Sequence, residues 1–546
     1  MKSFANLLDR LSYEPRRNGK IALLGQYFSR APDPDRGWAL AALTGGLDLG
    51  KTKPSLIRAL IEEKVDPYLF ELSYDFVGDL SETVALIWPE GGGKAGVAPT
   101  LTEVVETLAD SSRTAAGAHL ERWLNRLDET GRWALLKLIT GGMRVGVSAR
   151  LAKTALASLG DVSTDDIEEV WYGQAAPYEP LFAWVEGRAD RPERNDPAFF
   201  RPPMLAHPLV REDLEGLKPS DFLAEWKWDG IRVQASGGLL SNGQRITRLF
   251  SRSGDDISAA FPDLLEQFSD LDATIDGELL VVREGCIQPF GVLQKRLNRK
   301  TVSKKLIVSH PVMIRAYDLL CANGEDLRSM PFYERRRRLE EYIADSEMRG
   351  IDLSPIVNYS GWAHLSEIRE DPGAFASDNE TAVEGLMLKK RDGPYLPGRP
   401  KGHWYKWKRD PHNADAVLMY AQRGHGKRSS FYSDYTFGVW RTAADGGEEL
   451  VPVGKAYFGF TDEELLVIDR YVRQNTINRF GPVREVRHDP EHGFVLEVAF
   501  EGLNRSTRHK SGIAMRFPRI ARLRQEKKPH EADRLDVLIA LLPKET

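Results

Sequence analysis

Apolar residues recur three or four positions apart through most of the first 185 residues, as in LERWLNRLDETGRWALLKLI and ARLAKTALASLG. This spacing places apolar side chains on one face of a helix. Few stretches of alternating apolar and polar residues interrupt it. The pattern therefore predicts an all-α N-terminal domain over residues 1–186.

The pattern changes twice further along the chain. Residues 187–203 concentrate proline and charge with little periodicity, which is typical of an extended linker. Over residues 204–410, segments that favour strands, such as ATIDGELLVV, are mixed with helical ones, which predicts an α+β domain. Short alternating runs between Gly-rich turns then fill residues 411–546 and predict a small β-barrel or sandwich.

Composition limits the class of protein. The chain has 546 residues, of which 42% are hydrophobic and 28% charged, and this is typical of a globular protein with about three or four domains. Two cysteines, Cys286 and Cys321, are too few for a disulfide framework or a four-cysteine zinc site. Because no signal peptide or membrane-spanning run is present, we expect a cytoplasmic protein. The net charge of −5 argues against binding nucleic acid by bulk basicity but leaves room for a locally basic groove.

The stretch GGLDLGKT, from Gly45 to Thr52, matches a phosphate-loop pattern. A functional phosphate loop lies between a strand and a helix. Here a helical Ala- and Leu-rich stretch precedes the glycines, and Pro54 follows them closely. We therefore interpret the stretch as a helix C-cap at Gly45 or Gly46 followed by a turn.

The segment AEWKWDGIRVQ carries candidate chemistry around Lys227. Two tryptophans alternate with Glu225 and Lys227 before the Asp-Gly pair, and the alternation inverts after it, which predicts a two-residue hairpin with a buried indole face. In that register Lys227 would face Arg232, whose charge would lower the pKa of the lysine and favour the neutral, nucleophilic amine. When this segment is taken alone, a surface hairpin with a solvated lysine explains it better.

Seven stretches in a fixed order decide between these alternatives. KWDGIR resembles the nucleotidyl-acceptor motif of the covalent nucleotidyltransferases, and FSRSGDD, IDGELL, RAYDLL, VEGLMLKK, HWYKWKRD and RFPRIARLRQEK follow it. Together they resemble the motifs of an ATP-dependent DNA ligase of the bacterial kind with an N-terminal helical DNA-binding domain. The resemblance implies an α+β nucleotidyltransferase (adenylation) domain and a C-terminal OB-fold β-barrel. It also implies an enzyme that seals 5′-phosphate/3′-hydroxyl nicks in duplex DNA.

The resemblance assigns roles to individual residues. Lys227 would attack the α-phosphate of ATP to form a lysine-AMP intermediate, Glu225 would read the adenine edge, and Tyr317, commonly Phe in this family, would stack on the base. Glu278 and Glu384 would supply hard oxygen ligands for Mg²⁺ or Mn²⁺. The other residues implied in ATP binding are the cations Arg232, Arg252, Arg399, Lys406, Lys408, Arg516 and Lys527, together with Glu278. Arg232 and Arg252 would hold either the sugar and phosphates of ATP or the DNA 5′-phosphate.

The helical domain contains TGGMRVGVSARLAK, which resembles a segment of the family's DNA-binding domain. Ser148 at a predicted helix start would present backbone N–H groups to a DNA phosphate, with Arg144 and Arg150 adding charge. From the residues alone, a capped helix with solvated arginines is about as well supported. The basic loops QRGHGKRSS and NRSTRHKSG are predicted to grip the DNA backbone, whereas ERRRRLEE is predicted to be a solvated helix face.

Other classes of protein share part of this pattern. RNA ligases and mRNA-capping guanylyltransferases share the lysine motif, but capping enzymes need no long helical DNA-binding domain. An NAD-dependent ligase is disfavoured, because its four-cysteine zinc module cannot be built from two cysteines. A catalytically silent DNA-binding scaffold is disfavoured by the intact Lys227, Glu278 and Glu384. We therefore expect a monomer that acts on nicked double-stranded DNA with ATP.

Overall fold

A computed structural model of the chain describes all residues except 51, 90–96, 142, 193–195, 298, 300, 347, 376–382, 424–430, 444, 508 and 543–546. The described chain divides into two compact units. The first unit comprises Met1–Thr164, Gln174–Arg191 and Pro411–Thr546, and the second comprises Asp165–Gly173 and Pro192–Asp410. Among the described residues, no helix has both the length and the apolar composition needed to cross a membrane.

The described part of the N-terminal region is helical, which confirms the prediction from its apolar spacing. Its helices are α1 (Lys2–Tyr13), α2 (Arg17–Arg30), α3 (Asp35–Thr44), α4 (Pro54–Glu62), α5 (Pro67–Val77), α6 (Leu80–Ile87), α7 (Leu101–Asp110), α8 (Arg113–Arg126), α9 (Glu129–Thr140), α10 (Ala149–Ala157), α11 (Thr164–Trp171) and α12 (Glu179–Val185). Short polar side chains begin several of them. Asp79, Ser112 and Ser148 each accept a hydrogen bond from the backbone N–H three residues later, and these N-caps satisfy donors of the first turn.

The stretch that matches a phosphate loop is a helix end. Helix α3 stops at Thr44, and Gly45 adopts a left-handed conformation with φ of 79°. The backbone N–H of Gly46 donates to the carbonyl of Ala41 at 2.9 Å, which closes the C-terminal turn. Helix α4 begins at Pro54, and Lys51 lies outside the described residues. The predicted C-cap and turn are confirmed.

The second unit contains a five-stranded sheet and a seven-stranded sheet. The strands are β1 (His207–Pro208), β2 (Phe222–Trp228), β3 (Ile231–Leu239), β4 (Arg245–Ser251), β5 (Ala273–Arg283), β6 (Cys286–Ile287), β7 (Val312–Ala322), β8 (Glu325–Asp326), β9 (Ile351–Leu353), β10 (Ile356–Val357), β11 (Val383–Lys390) and β12 (Trp404–Lys408). The five-stranded order is β1-β12-β11-β2-β10, and the larger sheet runs β4-β3-β5-β7-β8, with β6 on β5 and β9 on β7. The helices are α13 (Pro262–Gln267), α14 (Phe290–Leu293), α15 (Lys304–Ser309), α16 (Phe332–Ala344) and α17 (Trp362–Glu370).

The predicted hairpin at Asp229 and Gly230 is wrong. Strand β2 pairs with β10 and β11, and β3 pairs with β4 and β5, so the chain passes from one sheet to the other at this point. The alternation inverts because each strand faces its own core: Trp226 and Trp228 pack in the core of the five-stranded sheet, and Val233 packs in that of the larger one. A Cβ on Gly230 would lie 2.5 Å from the Leu279 carbonyl oxygen, so glycine is needed at this crossing. Lys227 and Arg232 are therefore not cross-strand partners.

The predicted solvated face in ERRRRLEE is also wrong for part of the helix. Helix α16 packs with β7, and Phe332, Arg335, Arg336 and Leu339 are buried at three- and four-residue spacing. The guanidinium of Arg335 donates to both oxygens of Asp318 at 2.8 and 2.9 Å. Because helical periodicity depends on position and not on charge, two of the arginines point inward.

The segment before β1 belongs to the second unit from Pro192 onward. Residues 196–203 form neither helix nor strand. Phe200 is nevertheless buried, and the backbone N–H of Arg201 donates to Oε1 of Gln234 on β3 at 2.6 Å. This part of the Pro-rich segment is thus packed against the larger sheet.

The C-terminal region is rich in strands. These are β13 (His412–Arg423), β14 (Tyr432–Thr442), β15 (Glu448–Ala456), β16 (Thr476–Phe480), β17 (Val483–Val486), β18 (Val495–Phe500), β19 (Gly502–Arg505), β20 (Ile513–Arg516) and β21 (Arg519–Leu523), with helices α18 (Asp462–Asn475) and α19 (Leu535–Ile539). Strand β13 pairs with β14 along one edge, and with β18 and then β17 along the other. Buried residues of the C-terminal strands, such as Leu418, Phe437 and Val453, form an apolar core. The prediction of a β-rich C-terminal region is confirmed.

Candidate active site

Lys227 and Glu384 form the centre of the site in the second unit. The Nζ of Lys227 donates to Oε2 of Glu384 at 2.6 Å, and the Nζ of Lys408 lies 3.6 Å from the same oxygen. Strands β2, β11 and β12 are neighbours in the five-stranded sheet and supply these three residues. The register of β11 against β2 shifts between Val383 and Gly385, and such a bulge re-aims the side chain beside it, here Glu384.

The electrostatics of Lys227 are opposite to the prediction. Burial alone would lower the pKa of this lysine, but the carboxylates of Glu384 and Glu278 raise it above the usual 10.5. Burial alone would raise the pKa of Glu384, but Lys227 and then Lys408 lower it to about 2. The prediction failed because Arg232 lies in the other sheet, while an anion from β11 occupies the place next to the lysine.

Glu278 reaches the site from the larger sheet. It lies on β5, directly across from Arg232 on β3. Burial raises the pKa of Glu278 to about 7, although the nearby charges of Lys227 and Arg232 act in the opposite direction. Near neutral pH the carboxyl group is therefore partly protonated until a further positive charge arrives.

Arg232 is held on several sides by protein groups. Its two terminal nitrogens donate to the carbonyl of Met204 at 2.6 Å, to Oδ2 of Asp276 at 2.6 Å and to the hydroxyl of Tyr395 at 2.9 Å. The Tyr395 hydroxyl in turn donates to the same Asp276 oxygen at 2.5 Å. The guanidinium carbon lies 5.9 Å from the ring centre of Tyr317. Arg232 therefore has one fixed orientation beside the predicted base-stacking residue.

Further predicted cations converge on Lys406. Burial lowers the pKa of Lys406, and the positive charges of Lys408, Lys227, Arg399 and Arg252 lower it further. Burial likewise lowers the pKa of Arg252, with added effects of Arg232 and Arg399. Such mutual repulsion requires these groups to lie near one another. The structure thus brings together, around two glutamates, cations that lie up to 181 positions apart in sequence.

A buried charged network lies at the predicted base-binding end of the site. Glu225 and Lys389 are each 1% exposed, and the lysine Nζ donates to Oε2 of Glu225 at 2.9 Å and to the Tyr317 carbonyl at 3.4 Å. The same Nζ lies 4.2 Å from the ring centre of Tyr317, and Trp404 packs edge-on to that ring. A terminal nitrogen of Arg336 lies 3.6 Å from Oε1 of Glu225.

Sequence reasoning missed Lys389 and Arg336. The available signal for Lys389 was its position in VEGLMLKK. It follows Met387 by two residues, so the two side chains lie on the same face of β11. The signal for Arg336 was its spacing from Phe332 and Leu339 on α16. Both residues contact the buried carboxylate of Glu225 and so fix its position.

The remaining predicted residues lie in the first unit. Arg516 ends β20, and Lys527, in the segment after β21, donates to Oδ2 of Asp415 at 2.5 Å. Ser148 caps α10 by accepting from the Leu151 N–H at 3.2 Å, and Arg144 and Arg150 are exposed. Lys20 donates to the Val145 carbonyl and so ties down the loop before α10.

The two basic loops are described only in part. Residues 424–430 of QRGHGKRSS lie outside the described residues. In NRSTRHKSG, the backbone N–H of Ser506 donates to the Gly512 carbonyl at 2.8 Å, and Arg508 is outside the described residues.

The carboxylates fit a magnesium ion that is held mainly by other ligands. Within the described part of the chain, no group of three or more His, Cys, Asp or Glu side chains is arranged to hold a metal. Mg²⁺ commonly binds one or two carboxylates together with phosphate oxygens and water. Glu278 and Glu384 supply such a pair, and the raised pKa of the buried Glu278 indicates that a cation would be favoured beside it.

Known proteins are similar to this chain over most of its length. Residues 203–408 match the family model described as ATP dependent DNA ligase domain, and residues 428–527 match the ATP dependent DNA ligase C terminal region. A probable DNA ligase of Koribacter versatilis (strain Ellin345) is 31% identical over 98% of this chain and 95% of its own length. DNA ligase 1 of Korarchaeum cryptofilum (strain OPF8) is 29% identical over 98% of this chain and 97% of its own length.

A solved structure named Pmar-Lig_PreS3 covers 95% of this chain and 99% of its own, with a TM-score of 0.58 and 15% identity, so this likeness concerns the fold alone. The match of the Koribacter protein extends over nearly the full length of both chains. This chain therefore belongs to the ATP-dependent DNA ligase family.

Proposed function

We propose that this chain seals 5′-phosphate/3′-hydroxyl nicks in duplex DNA through a lysine-AMP intermediate at Lys227 and an AMP-DNA intermediate. The observation that carries the proposal is the convergence of Lys227, the glutamates Glu278 and Glu384, and a cluster of cations in one site. A lysine nucleophile next to a cluster of cations is suited to attack on a polyphosphate, because the cations stabilise the negative charge of the phosphates. The enzyme would act as a monomer.

In the first step, the neutral amine of Lys227 would attack the α-phosphorus of ATP. An N–P bond forms, the bond to the bridging oxygen breaks, and pyrophosphate leaves with the electron pair of that bond. Lys406 and Lys408 alternate on β12 and would neutralise charge on the α-phosphate as it develops.

Lys227 must lose a proton before it can react, and its contact with Glu384 opposes that loss in the free protein. A divalent cation held by Glu278 and Glu384 would shield the triphosphate charge and compete with the lysine for the Glu384 carboxylate. Binding of ATP would also bring the phosphates against Lys406, whose own lowered pKa reflects the same crowding of positive charge. Substrate binding and activation of the nucleophile would thus be linked.

The base would lie between Tyr317 and the buried Glu225. Tyr317 offers a ring face for stacking, and Glu225 is an acceptor suited to the exocyclic amino group of adenine. Lys389 and Arg336 fix the position of the Glu225 carboxylate, so its geometry does not depend on the ligand. Guanine presents an oxygen at the corresponding position, and two acceptors would repel each other.

The later steps use the same groups. A DNA 5′-phosphate oxygen would attack the phosphorus of lysine-AMP and displace the Lys227 amine, and the 3′-hydroxyl would then displace AMP as the phosphodiester forms. Arg232, Arg252 and Arg399 would hold the sugar and the phosphates through these in-line transfers. The motif RFPRIARLRQEK would act in the first step instead, where Arg516 and Lys527 would orient the departing pyrophosphate.

We also propose a domain assignment. Residues 1–186 would form the DNA-binding domain, in which Arg144, Ser148 and Arg150 hold the phosphate backbone. Residues 187–203 would be the linker, residues 204–410 the adenylation domain, and residues 411–546 an OB-fold. The strand-rich C-terminal region, whose strands form an apolar core, supports the last assignment.

The proposal is tested by sealing assays with end-labelled nicked duplexes. With ATP and Mg²⁺, we expect rapid joining of nicked DNA, and much slower joining when the nicked strand is RNA or when GTP replaces ATP. Equal rates with RNA would favour an RNA ligase, and preference for GTP would favour a guanylyltransferase. Either result, or no sealing of nicked DNA, would contradict the proposal.

A further inference from the structure

Helix α11 and Tyr172 behave as part of the second unit, although they lie in sequence between helices of the first. The residues Asp165–Gly173 belong to the second unit. Both terminal nitrogens of Arg328 donate to the carboxylate of Glu169 on α11, one of them to Oε2 at 3.3 Å. Both side chains are less than 20% exposed. Arg328 is itself held by Asp326 at 2.6 Å. The helix is therefore firmly attached to the unit that carries Lys227.

Tyr172 follows α11 and packs directly on the turn that contains Arg252. Its hydroxyl donates to the carbonyl oxygen of Ser253 at 2.8 Å. Its ring lies so close to Gly254 that a Cβ there would overlap the ring atoms, and Gly254 has φ of 89°. The ring of Phe200 packs edge-on to the Tyr172 ring, with ring centres 4.6 Å apart and an interplanar angle of 71°. The contacts of Tyr172 with Ser253 and Gly254 therefore fix the position of the peptide between these two residues.

The turn itself is short and closed. The backbone N–H of Ser251 donates to the Asp255 carbonyl at 2.8 Å, and that of Gly254 donates to the Ser251 carbonyl at 3.0 Å. Arg252 therefore lies inside a loop with few alternative conformations. Its side chain is exposed yet lies near Arg232 and Arg399, whose charges act on it. A shift of the Ser253–Gly254 peptide would move Arg252 away from these groups.

We propose that Tyr172 is a positioning residue for Arg252, acting through the Ser253 carbonyl during transfer of AMP from Lys227 to the DNA 5′-phosphate. The inference rests on the proposed function, because it assumes that Arg252 binds the DNA 5′-phosphate and not the phosphates of ATP. Arg252 is exposed in the free protein and so is available to a macromolecular substrate. Tyr172 would hold it in the conformation that the incoming phosphate requires, at no ordering cost when DNA binds.

The test uses Tyr172→Phe, which removes the hydroxyl and keeps the ring on Gly254. Covalent uptake of labelled AMP measures the first step, and a single-turnover assay of pre-adenylated protein with nicked DNA measures the second. We expect normal uptake and an AMP transfer rate about three- to tenfold lower, as for loss of one hydrogen bond. Tyr359→Phe is the matched control, because its hydroxyl donates to the Pro219 and Phe222 carbonyls away from this turn, and it should leave both rates unchanged.

The double variant with Arg252→Ala separates positioning from general stability. If Tyr172 acts through Arg252, adding Tyr172→Phe to Arg252→Ala should lower the transfer rate no further. Additive effects, equal loss in both steps, or an unchanged transfer rate would overturn the inference. Failure of the proposed function would be seen differently, as no AMP uptake by the wild-type protein, and would overturn the inference with it.

Discussion

The Nζ of Lys227 lies 2.6 Å from Oε2 of Glu384, so the proposed nucleophile is paired with an anion in the free protein. Lys227 lies on β2 and Glu384 on the neighbouring strand β11, and the two residues are 157 positions apart in sequence. It raises the pKa of the lysine and lowers that of the glutamate. The charged form of the amine is therefore favoured in the free protein, and under the proposed mechanism the amine would become reactive when Glu384 binds another group.

Removing the anion should lower the pKa of Lys227. In Glu384→Gln, Lys227 and Lys408 no longer lie next to a negative charge from β11. The neutral amine of Lys227 should therefore form at lower pH. Acylation of Lys227 as a function of pH, without ATP or metal and read by mass spectrometry, measures this directly. The exposed Lys390 is an internal control whose reactivity should not change. Equal pH midpoints for Lys227 in the two proteins would contradict the account.

The buried pair of Arg335 and Asp318 should contribute strongly to stability. Neither side chain has measurable exposure, and Arg335→Leu would leave a buried carboxylate without its partner. Loss of one partner of a buried pair commonly costs about 3–5 kcal/mol in the free energy of unfolding. Urea denaturation should show this loss for the second unit. Arg337→Leu, on the exposed face of the same helix, is the matched control and should leave the midpoint nearly unchanged.

Lys389 should be needed for both stability and nucleotide binding. Burial raises the pKa of Glu225, while Lys389 and Arg336 oppose this effect. In Lys389→Met the Glu225 carboxyl group would protonate and lose its fixed orientation toward the base. We expect a lower urea midpoint and a raised KM for ATP in covalent AMP uptake, with Lys390→Met as the neighbouring exposed control. Wild-type values of both quantities in Lys389→Met would argue against a buried functional pair.

Local features of the fold were predictable from the sequence. Helices with N-caps such as Ser148, and the C-cap at Gly45, follow from interactions within a few residues. The period of two in HWYKWK placed Lys406 and Lys408 on one side of β12. These features need no knowledge of which segments pair.

Non-local pairing explains what the sequence did not reveal. The Asp-Gly pair at residues 229 and 230 favours a hairpin locally, but β2 gains more from pairing with β11, whose residues lie far along the chain. The consequence is that Glu384, not Arg232, stands beside Lys227. The burial of Arg335 and Arg336 on α16 was not predicted, because their charge suggested exposure to solvent. Their spacing nevertheless matched the buried face of the helix.

In the proposed reaction Lys227 carries AMP. This is tested by incubating the protein with Mg²⁺ and α-labelled ATP, followed by denaturation and peptide mapping. Label should appear on the peptide containing Lys227, be absent from Lys227→Ala, and leave the wild-type protein when nicked DNA is added. Label on another residue, or label that survives Lys227→Ala, would contradict the account.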